Sequence, residues 1–144
     1  MSPDELKAGY RRMIEEVFNQ GNLAVVDELV AADAVDHSGM PGRPPGPEGV
    51  KWAAAMFRAA FPDLHYQVED QVAEGDLVAN RFTVHGTQQG AFMGIPPTGK
   101  QATVSGMDII RVRDGKMVEH WVQMDTLGLM QQLGAIPAPA QAPA

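Results

Sequence analysis

Apolar residues recur three and four apart through the N-terminal part of the chain and then, past Pro62, at every second position, so helices precede a sheet. Leu6, Tyr10, Met13, Ile14, Val17 and Phe18 form the first stripe. Ser2, Pro3 and Glu5 supply a capping hydroxyl, a proline at the first helical position and an acid three residues after the cap. Gly21 suits the C-terminal cap of that helix. Asn22 then caps a second helix carrying Leu23, Val26, Leu29 and Val30, which makes a helical hairpin with one apolar side. Pro41, Pro44, Pro45 and Pro47, mixed with Gly39, Gly42 and Gly46, predict a loop. Glu48 opens a third helix whose apolar face includes Val50, Trp52, Ala53, Met56, Phe57 and Ala60, and Pro62 stops it.

The period then becomes two. Leu64–Val72, Leu77–Thr87, Ala102–Arg113 and Met117–Met124 read as strands, with tight turns at Glu74-Gly75-Asp76 and Asp114-Gly115. Asp125 caps a last helix that runs to Leu133 and stops at Gly134. Alternating proline in residues 137–144 fits neither regular structure and predicts an extended, mobile tail behind one domain spanning residues 1–136. The expected architecture is α+β: a curved antiparallel sheet wrapped around the N-terminal helices, with a cavity at its open end.

Composition narrows the function. A chain of 144 residues is long enough for one domain, and a domain of that size buries roughly 68–70% of the surface its unfolded chain exposes. With 44% hydrophobic and 20% charged residues the balance is that of a soluble globular protein. No apolar run approaches the roughly 20 residues a spanning helix needs, so no membrane partner is expected. A net charge of -7, with 11 scattered Lys and Arg, weighs against nucleic acid. The lack of Cys removes disulfides, thiol nucleophiles and thiolate metal sites, and with no signal-peptide pattern at the start the expected location is cytoplasmic.

Few motifs carry chemistry. Gly94 to Lys100 matches the spacing of a phosphate-binding loop, but Gln101 stands where Ser or Thr must hold magnesium, and Pro96 and Pro97 lack the N–H groups that would cradle phosphate. A turn feeding a strand is the better reading. No two of His37, His65, His85 and His120 have helical metal-ligand spacing, so no metal or other cofactor is expected. Asp33, Asp36 and His37 could collect a cation, although they fit a helix end and a loop entry better.

Asp108 and His120 are the candidate catalytic pair. Each is ionisable within a run that otherwise reads as buried sheet. Alternation puts Val118, His120, Val122 and Met124 on one face of the last strand, and pairing about the Asp114-Gly115 turn brings Asp108 near His120. A carboxylate beside an imidazole orients its tautomer and raises its basicity, which suits acid–base work on a carbonyl compound. The same two residues could equally be a satisfied buried pair with no ligand. Arg81, also in a strand, either neutralises a carboxylate or faces water, while Trp52, Met56 and Phe57 belong to the core with one side lining the pocket.

Gly86-Thr87-Gln88-Gln89-Gly90, Phe92 to Lys100, Asp114 to Trp121 and Leu127 to Gly134 resemble the SnoaL-like polyketide cyclases, or ester cyclases, and the likeness runs from the first helix to Gly134. It implies the cone-shaped α+β barrel shared with nuclear transport factor, scytalone dehydratase and limonene epoxide hydrolase, a homodimer through the sheet, and an apolar pocket for a small organic ligand. It also implies cofactor-independent closure of a ring by intramolecular aldol condensation, with an Asp as acid–base catalyst. That Asp falls at Val122 here, the family's active-site histidine falls at Asp108, and Gln88 replaces the histidine of a Gly-Thr-His run.

The expected function is therefore cofactor-independent cyclisation, isomerisation or dehydration of a small hydrophobic carbonyl compound. Asp108 and His120 would supply base and acid, and His37, Trp52, Met56, Phe57, Arg81 and Val122 would bind substrate. The alternative is a non-catalytic binding or scaffold protein of the same fold, which Val122 favours. Epoxide hydrolysis is a weaker third reading, since Val122 removes one of the carboxylates it needs.

Overall fold

The computed structural model describes residues 1–38 and 40–137. The expected tail, Pro137 apart, lies outside the described residues. Helix α1 runs over Pro3–Arg12, with the Ser2 hydroxyl accepting the Glu5 N–H at 3.1 Å, as a capping box requires. It continues as a π-helical segment, Met13–Asn19, and Gly21 leaves it at φ 77°.

The second predicted helix is a correction. Asn22 makes no side-chain capping bond, a 3-10 turn covers Leu23–Val25, α2 is only Val26–Leu29, and the chain passes directly into strand β1, Val30–Asp36. Val30 and Ala34 are the buried positions of β1. Their separation of four imitates a helix because the pairing slips between Val30 and Val35. The edge of a neighbouring strand decides the conformation here, and local periodicity does not.

Helix α3, Pro47–Ala60, and strands β2, His65–Glu74, β3, Leu77–Thr87, β4, Gln101–Arg113, and β5, Lys116–Met124, fall close to their predicted bounds. Helix α4, Thr126–Gln132, is capped by Asp125, which accepts the Gly128 N–H at 2.9 Å. The fold is α+β, as expected. The sheet has five strands in the order β1-β5-β4-β3-β2 and is curved but unclosed. Its pairings are antiparallel except β1 with β5, which is parallel. Asp114 at φ 54° and Gly115 at φ 77° close the β4–β5 hairpin in the left-handed conformation that such short turns demand.

Two local devices shape the inner face. Gly106 lets the fully buried Phe82 lie against β4, because a Cβ there would come within 2.5 Å of the ring. Gln88, also fully buried, accepts from the Thr98 hydroxyl at 2.7 Å and donates to the carbonyls of Gly90 and Ile95. That bonding anchors the irregular segment that runs from the Phe92–Ile95 bridge to the start of β4. Leu6, Tyr10 and Ile14 of α1 and its continuation pack on Val78 and Ile110 of the sheet. None of the described helices is long and apolar enough to cross a membrane.

Candidate active site

Between α1 with its continuation, α3 and the inner face of β4 and β5 lies a cavity of about 140 Å³. Its wall is mostly apolar, with a few polar side chains, among them Asp108, His120, Tyr10 and Arg43. Strand β4 delivers Asp108 and β5 delivers His120, two positions apart across the hairpin, since Asp108 pairs with Val122 and Ile110 with His120. This diagonal is short enough for His120 Nε2 to donate to Asp108 Oδ2 at 3.1 Å. On the other side of the ring, Nδ1 donates to Asp36 Oδ2 at 2.7 Å. The same Asp36 oxygen lies 3.0 Å from Arg43 Nη2, an ion pair contributed by the loop before α3.

Asp108 is 5% exposed and saturated with donors. Tyr10 Oη donates to Oδ2 at 2.9 Å, and Asn80 Nδ2 donates to Oδ1 at 2.9 Å. Tyr66 Oη lies 3.5 Å from Tyr10 Oη. The sequence of contacts is therefore Arg43, Asp36, His120, Asp108, Tyr10, Tyr66, with cations and carboxylates alternating at one end and two phenols at the other.

The electrostatics follow from the geometry. Each ring nitrogen of His120 faces a carboxylate, so both must carry hydrogen and the ring is an imidazolium. Burial opposes that charge, but the hydrogen bonds and attraction of Asp108 and Asp36 outweigh it and lift the pKa from 6.5 to about 9. Burial would raise Asp36, yet the bonds from His120 and Ser38 hold it well below the usual carboxylate range. Burial, followed by the adjacent phenol and the Asp108 charge, pushes Tyr10 far up; burial and then Asp108 raise Tyr66 too. Both phenols remain protonated. Burial lowers Arg43, with Asp36 opposing.

Of the residues expected at the site, Asp108, His120, Phe57 and Val122 line the cavity. Trp52 and Met56 do not, because the inward face of α3 is formed by Val50, Ala53 and Phe57, and residues 52 and 56 turn away from it. Arg81 is outside as well: it projects from the outer face of β3, half exposed, and pairs with Asp70 at 2.6 Å. His37 is exposed, stacked on Trp121 with ring centroids 5.0 Å apart and 3.2 Å from Glu119. Val118 gives way to Met117 in the cavity wall, because a bulge between Arg111 and Val112 shifts the alternation. Asp36 serves His120 and Arg43 rather than a cation, and no group of His, Asp and Glu among the described residues is arranged to hold a metal ion.

Tyr10, Asn80, Tyr66, Asp36 and Arg43 are members that sequence reasoning did not place at the site. Asn80 carried a usable signal. It interrupts the inward series Val78, Phe82, Val84 on β3, the same kind of break that singled out Asp108. Tyr10 carried none, since its spacing is that of a core residue.

Comparison with known proteins agrees with this architecture. A family model described as SnoaL-like polyketide cyclase matches residues 8–133. The aklanonic acid methyl ester cyclase DnrD of Streptomyces peucetius is 28% identical over 127 residues, covering 86% of this chain and 87% of the relative. The structure of TsrD from Streptomyces laurentii superposes with a TM-score of 0.87 at 29% identity, covering 94% of this chain and 99% of that one. IdmH of Streptomyces antibioticus gives a TM-score of 0.75 at 39% identity over 93% of this chain and 99% of its own.

Proposed function

Because the chain belongs to the SnoaL-like polyketide cyclase family, we propose that it is a cofactor-independent acid–base enzyme acting on a small, mainly apolar carbonyl compound by cyclisation, isomerisation or dehydration through an enol. The observation that supports this reading best is Asp108: a carboxylate buried in the wall of an apolar cavity, one oxygen of which meets both a phenol and an imidazolium. Asp108 stands directly across the strand pair from Val122. It supplies from β4 the carboxylate that the family resemblance places at Val122 on β5.

Substrate binding loosens the Tyr10 and His120 bonds to Asp108 as a carbonyl oxygen becomes an alternative acceptor. Asp108 Oδ2 takes the proton from the carbon next to the carbonyl, and the electron pair of that C–H bond becomes the enolate double bond. His120 Nε2–H stabilises the enolate oxygen, in a site where low dielectric strengthens the bond. In a cyclisation the enolate carbon attacks a second carbonyl of the same molecule, and the proton held on Asp108 returns to the new alkoxide. The relative DnrD is named for closure of an ester, aklanonic acid methyl ester; reaction on a polyketide ester is the form of the proposal closest to it.

One observation favours the non-catalytic alternative: both His120 nitrogens and both Asp108 oxygens already have protein partners. Asp108→Asn separates the two readings. With a ligand found by thermal shift among planar β-keto esters, terpenoid epoxides and ketones, the enzyme reading expects turnover to fall at least about 100-fold with the dissociation constant within about threefold. Unchanged turnover removes Asp108 from the chemistry. A ligand that binds and is returned intact by the wild type establishes the binder. The homodimer belongs to the same proposal, supported by Met107 and Ile109, which are 61% and 41% exposed on the outer face of β4; a monomeric mass in solution would remove it.

A further inference from the structure

The cavity has a second polar end that the acid–base chemistry does not use. Arg43 and Ser38, both from the segment between β1 and α3, line it beside Met40. The Arg43 side chain is 13% exposed and spends Nη2 on Asp36. Ser38 donates its backbone N–H to Asp36 Oδ1 at 2.7 Å, which fixes the residue. Its hydroxyl, however, is buried and has no hydrogen-bond partner among the described residues. An unpaired buried hydroxyl costs about 1–3 kcal/mol, and such groups call for an explanation.

We propose that Arg43 and Ser38 form a recognition site for a second oxygen of the substrate, the carbonyl oxygen of an ester or ketone, with Asp36 and His120 standing between it and Asp108 in the series of contacts. Three features select this chemistry. The guanidinium has N–H groups beyond the one bonded to Asp36, and it has no acceptor of its own, so what it takes must be an acceptor. A hydroxyl that rotates freely completes the pair as a second donor. Charge also decides between a neutral and an anionic group: Arg43 and His120 are balanced by Asp36 and Asp108, so a carboxylate would add an uncompensated charge to a buried network, whereas a neutral carbonyl adds none. The substrate class is then a 1,3-dicarbonyl compound or keto ester, held at both oxygens. Two-point attachment fixes which α-carbon faces Asp108.

The inference rests on the cavity being the substrate site. Its test uses binding, so that it stands apart from turnover: isothermal titration of the wild type, Arg43→Met and Ser38→Ala with an aryl β-keto methyl ester and with the aryl methyl ketone that lacks the ester. The expected result is a wild-type preference for the keto ester of at least about tenfold, the worth of a hydrogen bond to a charged group. Arg43→Met should abolish it and Ser38→Ala should reduce it severalfold, while affinity for the simple ketone stays within about twofold. Ser38→Ala removes a group without a protein partner, so it should fold normally even if Arg43→Met does not. Equal wild-type affinity for the two compounds, or a preference that survives both substitutions, overturns the proposal and leaves the proposed enzyme standing. Preferential binding supports the recognition site whether or not the probe is turned over. Binding of neither compound overturns the recognition site.

Discussion

Glu119 and His120 are neighbours on β5 that face opposite sides of the sheet, and each is the hub of an ion-pair cluster. On the outer face Glu119 meets Arg111 at 3.1 Å and His37 at 3.2 Å, Arg111 reaches on to Asp76 at 2.8 Å, and Arg81 pairs with Asp70 on the neighbouring strands. On the inner face His120 sits between Asp36 and Asp108 at 2.7 and 3.1 Å. Distances and partner types are alike. Exposure is not: Glu119 and Arg111 are 33% and 30% exposed and Arg81 and Asp70 48% and 67%, against 17% and 3% for His120 and Asp108. Water screens the outer pairs to near neutrality, whereas the inner ones fix protonation states and orient side chains toward a cavity. The number of ion pairs says little about where chemistry resides; the dielectric around them says more.

Asp108→Ala breaks the comparison most severely. It strands an imidazolium, leaves the Tyr10 hydroxyl and the Asn80 amide without their acceptor, and empties a buried site. Removing one partner of a buried pair costs about 3–5 kcal/mol, and urea unfolding should show a loss in that range. A loss below about 1 kcal/mol would put the inner network on the same footing as surface pairs.

Acidity tests the comparison without mutation. The folded pKa of His120 is raised, so the native state binds the proton more tightly than the unfolded chain does. The stability this contributes is full below the unfolded value of 6.5 and is lost as pH rises through about 9. The difference amounts to something on the order of 3 kcal/mol at 1.36 kcal/mol per pKa unit. Asp36 works in the other direction: its pKa is depressed, so its contribution is present above the ordinary value of 3.8 and fades as pH falls below it. Asp36, Asp108, Arg43, Tyr10 and Tyr66 surround the ring or its partners, and none of the hydroxyls or the guanidinium titrates in this window. Denaturation midpoints should fall from pH 6.5 to 9 in the wild type and not in His120→Gln. A flat wild-type profile would mean that the ring is neutral in the folded protein.

What the amino-acid order made legible follows the same division between local and long-range causes. Helices α1, α3 and α4 and strands β2 to β5 were readable because caps, turn glycines and periodicity are local. Strand β1 was not, because Val30 and Ala34 are spaced as in a helix and only the edge of β5 makes them a strand. Asp108 and His120 were readable as polar breaks in apolar strands, and their proximity followed from the hairpin. Tyr10 and Arg43 were not, since one sits in a regular core stripe and the other in a proline-rich loop, and their partners lie 98 and 7 residues away. Arg81 shows the converse error: an ionisable residue on a strand implies burial only if alternation puts it on the covered face, and its own does not. His37 lies just past the end of β1 and is exposed.

Tyr10→Phe sharpens the comparison at lower cost. It removes one donor from Asp108 and keeps the ring that packs on the sheet. A hydrogen bond to a charged group is worth about 1.5–3 kcal/mol, so a loss near 2 kcal/mol is expected by urea unfolding, with near-ultraviolet circular dichroism otherwise preserved. A change under about 0.5 kcal/mol, the ordinary range for surface positions, would show that Asn80 and His120 alone satisfy the carboxylate.

Arg81→Ala should do least, although its contact with Asp70, at 2.6 Å, is shorter than either bond to His120. Both partners stand in solvent, where the attraction is screened and the immobilised side chains regain freedom once released. The stability change should stay below about 1 kcal/mol and shrink further in high salt, and binding of any cavity ligand should be unaltered because the side chain leaves the opposite face of β3. A double-mutant cycle with Asp70→Ala isolates the pair itself. A coupling of several kcal/mol would mean that this face is covered in solution, which a second copy of the chain across the sheet would do, and the outer cluster would then share the inner cluster's low dielectric.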